Sequence, residues 1–77
     1  MTTASKARVL ITLRPEILDV QGQTVAASLH ALGFKGVTSV RVGKLVEIEM
    51  SEPLDVERMA RELLVNPIIE DFKVAKL

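Results

Sequence analysis

A 77-residue chain with one histidine, ten carboxylates and no cysteine has a narrow stock of groups with which to make or break bonds. Without a thiol there is no cysteine nucleophile, no disulfide and no thiolate ligand for zinc or an iron–sulfur cluster. His30 alone falls short of the ligand set that a structural metal site requires. As a general base it would need a positioned proton donor and a cleft. It falls instead on a helical stretch near Ala26 and Ala27, off the apolar stripe, and reads as a partly exposed helix histidine. The Asp and Glu side chains of the helical stretches also lie outside the stripe, where carboxylates are solvated. No set of nucleophile, base and orienting group can be assembled. The sequence therefore points to no catalytic, cofactor-binding or metal-binding residue.

Two short motifs test that conclusion. Val20-Gln21-Gly22 is similar to the loop leading into the first helix of small ferredoxin-like acylphosphatases. In those enzymes an arginine four residues after the glycine holds the phosphate, and here that position is Ala26. The phosphatase reading loses its cation. Gly43-Lys44 has the ending of a phosphate loop, but the rest of that pattern is absent and the pair falls between two strand-like stretches. It reads as a turn with a solvated lysine. Arg14, Arg41 and Lys44 can still form an exposed basic patch for an acidic protein surface, with a plain solvated face as the alternative.

Composition narrows the partners. Ten basic residues balance ten acidic ones, so no net field draws in nucleic acid or an anionic membrane. Phe34 and Phe72 are the only aromatic residues, too few for a platform on which bases stack. Met1 to Ser5 has no apolar core and does not read as a secretory signal. The apolar runs are far too short to span a bilayer. A cytoplasmic protein is expected. Hydrophobic residues make up 48% of the chain and mean hydropathy is +0.29. That is apolar for a domain with so little interior, and it predicts an oligomer or a subunit of a complex.

The expected organisation is one domain over residues 1–77, with 1–5 flexible. Ala7, Val9, Ile11 and Leu13 alternate with Arg8, Leu10 and Thr12, giving a half-buried strand closed by Arg14-Pro15. Leu10 is the one apolar residue on the polar side, and marks either a contact or a filled crevice. Asp19 is placed to cap a helix over about 20–32, with Val25, Leu29 and Leu32 as its stripe and Gly33 as its left-handed stop. Residues 37–50 read as a β-hairpin broken at Gly43-Lys44, with a three-residue loop Gly43–Leu45 to keep Val42 opposite Val46. A second helix over about 56–65 carries Val56, Met59, Ala60 and Leu63 inward, capped by Asp55 and ended by Asn66-Pro67. A last strand over about 70–75 turns Phe72 and Val74 inward. The order β-α-β-β-α-β predicts a ferredoxin-like α+β fold, a four-stranded antiparallel sheet of order 4-1-3-2 with both helices on one face. Lys6 and Arg8 would then lie beside Glu47 and Glu49.

Four segments in this order and spacing resemble the PurS family, the small subunit of phosphoribosylformylglycinamidine synthase. They are Leu18-Asp19-Val20-Gln21-Gly22, Leu29-His30-Ala31-Leu32-Gly33-Phe34, Val40-Arg41-Val42-Gly43-Lys44 and Asn66-Pro67-Ile68-Ile69-Glu70-Asp71-Phe72. The short Ser51-Glu52-Pro53 connection departs from the longer, more acidic one of many relatives and touches no motif. The resemblance implies a non-catalytic subunit, a homodimer or dimer of dimers, that bridges a glutaminase subunit and a large synthetase subunit. It implies no cofactor on this chain, ATP being used by the large partner. The assembled enzyme converts formylglycinamide ribonucleotide (FGAR), glutamine and ATP into formylglycinamidine ribonucleotide (FGAM), glutamate, ADP and phosphate. The resemblance and the absence of an evident internal role together nominate Arg14, Gln21, Arg41, Lys44 and Asn66 as partner contacts, and Gly22, Gly43 and Pro67 are assigned to the same partner interface. Two other readings share the topology. An ACT-like ligand-sensing module is disfavoured because Arg14-Pro15-Glu16 lacks the usual glycine after the first strand, and an acylphosphatase because of Ala26.

Overall fold

Period-two alternation makes Ser5–Leu13 a strand, β1, and the same alternation decides what it faces. Ala7, Val9 and Ile11 are buried, while Lys6, Arg8, Leu10 and Thr12 on the other face are exposed. The computed structural model describes residues 5–76. Of the flexible start expected over 1–5, all but Ser5 lies outside them. β1 is the central strand, flanked antiparallel by β2 (Lys44–Met50) and β3 (Glu70–Lys76) in the order β2-β1-β3. Val9 pairs with Val46 on one side and Val74 on the other, so three β-branched side chains form one row.

That row is covered by the second helical segment. Helix α2 (Val56–Met59) is capped by Asp55, whose carboxylate accepts the Arg58 amide at 3.1 Å. It runs on into a wide π-turn, Ala60–Leu64, in which the Val65 amide reaches back to the Ala60 carbonyl at 2.9 Å. The extra residue in that turn shifts the side chains of its last turn out of α-helical phase. Leu63, expected inward by helical spacing, is 83% exposed, and Leu64 takes the inward place. Val56, Ala60 and Val65 close over Ala7, Val9 and Ile11 to form the core.

The four-stranded sheet expected from the sequence is not formed. The sheet has three strands, and residues 37–43 belong to none. The physical reason lies in where their backbone groups go. The Val42 amide donates to Asp19 at 2.6 Å, and the Val40 carbonyl packs onto the bare Cα of Gly22. The segment is thus tied to the first helix instead of folding back on β2. Gly43 makes no turn either. Among the described residues Gly33 alone has positive φ, and Gly43 uses its missing side chain to approach the Ile11 carbonyl.

Helix α1 (Val20–Ala31) begins at the expected Asp19 cap and stops at Gly33, whose φ is 103°. It does not lie on the sheet: Gly22 is its one buried residue, and it makes no packed interface with any strand. Residues 14–43 therefore form an arm that projects from the sheet. The radius of gyration is 16.3 Å, with extents of 52 × 29 × 13 Å. A compact chain of this length would have about 11 Å.

Candidate interaction surface

The nominated residues converge on one end of the sheet, where the arm joins it. Arg14 follows β1 and donates through Nη2 to the Pro67 carbonyl at 2.5 Å, with its Nε 3.5 Å from Asp71. Arg41, on the returning side of the arm, donates to the carbonyls of Ile17 (3.0 Å), Arg14 (2.9 Å) and Leu13 (3.4 Å). Lys44 opens β2 and pairs with Glu70 of β3 at 3.4 Å, across the end of β1. Glu70 also accepts the Asn66 amide at 2.8 Å, and the Asn66 side chain accepts the Ile68 amide at 3.0 Å, which fixes the turn carrying Pro67. Asn66 has no left-handed backbone: the helical segment has already ended at an extended Val65, and the Asn66 side chain shapes the turn that follows. Gln21, exposed on α1, lines one hollow with Gly43, Lys44 and Glu70. Arg14, Arg41 and Asn66 have internal work that the sequence did not show.

Asp19 is the residue whose second task was missed. Spacing revealed it as a helix cap, and its Oδ1 does accept the Gly22 amide at 2.8 Å. Its Oδ2 accepts the Val42 amide, 23 residues away, a pairing no local pattern could announce. The Val42 bond, then the Gly22 bond and the nearby Arg41 charge hold its carboxyl below the usual carboxylate range, against the opposing effect of burial. Glu70 is lowered too, first by the Asn66 amide and further by Lys44.

Nothing in this arrangement joins a nucleophile to a base. His30 is half-buried and its Nε2 donates to the Val37 carbonyl at 2.6 Å, closing the loop after α1. Among the described residues no three His, Cys, Asp or Glu side chains are grouped to hold a metal ion, and no helix is long and apolar enough to cross a membrane. A hollow of about 400 Å³ is lined by Arg14, Arg61, Glu70 and Asp71 together with Val65, Pro67 and Phe72, and the buried Arg14 Nε, 3.5 Å from Asp71, makes no hydrogen bond. What the chain offers is surface. The uncovered sheet face carries Lys6–Glu49 (3.7 Å) and Arg8–Glu47 (3.0 Å), the pairs expected from the sequence, around an exposed Leu10 and Leu45 in register. The arm exposes Val20, Leu32 and Phe34.

A small α+β chain with apolar and charge-paired surface on several sides, and no bond-making group assembled among its described residues, is built as a component of a larger assembly. Comparison with known proteins agrees and narrows it. Residues 6–76 match the family model PurS, phosphoribosylformylglycinamidine (FGAM) synthase, and the chain belongs to that family. It is 40% identical over 75 residues to the synthase subunit PurS of Mycobacterium leprae, covering 94% of this chain and 95% of that one. A crystal structure of PurS from Bacillus subtilis superposes with a TM-score of 0.84 at 33% identity, over 95% of this chain and 98% of that one. A chain in the structure of PurLQS from Thermotoga maritima does so at 0.84 and 27%, over 97% and 99%.

Proposed function

We propose that this chain is the small, non-catalytic subunit of a phosphoribosylformylglycinamidine synthase and serves purine biosynthesis. The observation that carries this reading is its likeness, over nearly its whole length, to a chain in the PurLQS structure. The sequence has no cysteine to attack glutamine. The chain works in the cytoplasm as a homodimer or tetramer that bridges the glutaminase and synthetase subunits. Ammonia released at one site must reach the other without escaping to water, so the two must be held in register, and a charge-paired sheet is a stiff mount for that purpose. ATP is used by the large partner.

Self-association has its own support. The arm's apolar side chains face solvent, and the outer edge of β2 has no partner strand among the described residues. A second copy would cover both. Contacts with the other subunits are assigned to exposed members of the nominated set whose side chains hold no backbone group of this chain, Gln21, Lys44 and Pro67.

Reconstitution tests this. Mixed with the large synthetase and glutaminase subunits of its own genome, the chain should restore glutamine-dependent formation of FGAM and co-elute with both. Gln21→Ala with Lys44→Ala should weaken that activity while leaving the circular dichroism of the chain unchanged. Full activity of the other two subunits in its absence would refute the proposal.

A further inference from the structure

The arm leaves the sheet through residues 14–19 and returns through Val42 and Gly43, and α1 shares no extensive interface with the strands that would fix its direction. Two covalent connections alone would let it swing. What opposes swinging is polar and concentrated in Arg41. Its Nη1 holds the Ile17 carbonyl at 3.0 Å, while Nη2 holds Arg14 at 2.9 Å and Leu13, the last residue of β1, at 3.4 Å. One side chain on the returning segment thereby grips the outgoing segment at its start and at its third residue beyond. The carbonyls converge on two different nitrogens of one plane, a pattern a planar guanidinium satisfies and a point-like ammonium cannot. Asp19 completes the joint from within the arm by tying α1 to Val42. Arg14 ties its base to the β3 end through the Pro67 carbonyl.

We infer that Arg41 is a positioning residue that sets the angle of the arm to the sheet. The inference rests on the geometry of the single chain and does not require the proposed function.

The test uses the full chain, whose lack of cysteine allows a clean pair of spin labels at Ser28→Cys on α1 and Lys73→Cys on β3, both exposed positions. Labelled chain diluted with excess unlabelled chain reports only the distance within one molecule. The parent should give one narrow distance. Arg41→Lys and Arg41→Gln should each broaden the distribution at least about twofold, because charge without the fork does not hold the carbonyls. Two controls separate angle from stability: Ile11→Val, which loosens the core, and Lys44→Gln, which removes a neighbouring charge, should both stay narrow. An Arg41→Lys distribution as narrow as the parent's and centred on the same distance would overturn the inference. If the Arg41 variants do not fold, the parent decides. Its Arg41 guanidinium should show slow rotation about the Nε–Cζ bond by NMR, and free rotation would overturn the inference equally.

Discussion

Gly22→Ala is the substitution on which local and tertiary physics disagree, and their magnitudes decide the sign. Gly22 is the third residue of α1, and alanine there gains about 1 kcal/mol of helix propensity. A Cβ at Gly22 would lie 2.2 Å from the Val40 carbonyl oxygen and 2.8 Å from Asp19 Oδ2. The first of these is backbone and cannot rotate away. Relief requires the 37–43 segment to move off the helix, which also pulls Val42 from Asp19. Overpacking of this kind costs about 1–3 kcal/mol, and contact with fixed backbone belongs at the upper end. The balance is a loss of about 1–2 kcal/mol, a fall in Tm of roughly 5–15 °C for a chain of this size. Thermal unfolding followed by circular dichroism measures it, at one fixed chain concentration because association shifts Tm. Gly36→Ala is the matched control: nothing lies within 4 Å of its Cβ and its φ is not positive, so it should be neutral or mildly stabilising. A Gly22→Ala chain as stable as the parent would show that the segment does not seat on α1 as described.

Further outcomes rest on the same contacts. Asp19 has a folded-state pKa below its unfolded one, so its contribution is complete above the ordinary carboxylate range and is lost as pH falls through the lowered value. Urea midpoints between pH 2 and 6 should fall less steeply with acid in Asp19→Asn than in the parent, on the order of pH 4 and below. Ile11→Val should cost about 1 kcal/mol because Ile11 is fully packed, whereas Leu10→Thr, on the open face, should stay within about 0.5 kcal/mol. Chemical denaturation of both separates the two faces. A double-mutant cycle on Arg8 and Glu47, each about half exposed, should give a coupling of about 1 kcal/mol or less that shrinks with added salt. Tm should rise with chain concentration, and a value constant over about a hundredfold dilution would contradict self-association.

Local signals were legible wherever one short stretch contained its own explanation. Asp19 and Asp55 as caps, Gly33 as a stop, the inward set of β1, and the Lys6–Glu49 and Arg8–Glu47 neighbours all follow from spacing and strand order. The resemblance to PurS, carried by four short segments, also held. The misreading of residues 37–43 came from the same method. Val40 and Val42 alternate with Ser39 and Arg41 as a strand would, and nothing in the segment reveals that the Val42 amide is taken by Asp19 and the Val40 carbonyl packs on Gly22. Leu63 was misplaced because a single extra residue in the π-turn leaves no mark in the sequence pattern. Arg14 and Arg41 seemed free for a partner because the carbonyls they hold are invisible in a sequence, and Asn66 because the Ile68 amide it accepts is equally unmarked.

The extended shape and the apolar composition explain each other. Hydrophobic residues are 48% of the chain, yet the fully covered ones among the described residues are Ala7, Val9, Ile11, Val56, Ala60 and Val65. On the arm, Leu18, Val20, Leu32 and Phe34 remain largely in water, although burying such a side chain is worth about 1.5–3 kcal/mol. A chain that folded the arm back on its own sheet could recover part of that energy. The polar joint at Asp19, Gly22 and Arg41 holds the arm out instead, so the unburied energy is reserved for whatever covers the arm. Polar residues thus fix direction, and apolar residues supply the affinity that direction makes usable. For the bridging subunit proposed above, that division would keep geometry independent of binding, because the joint is made within the single chain.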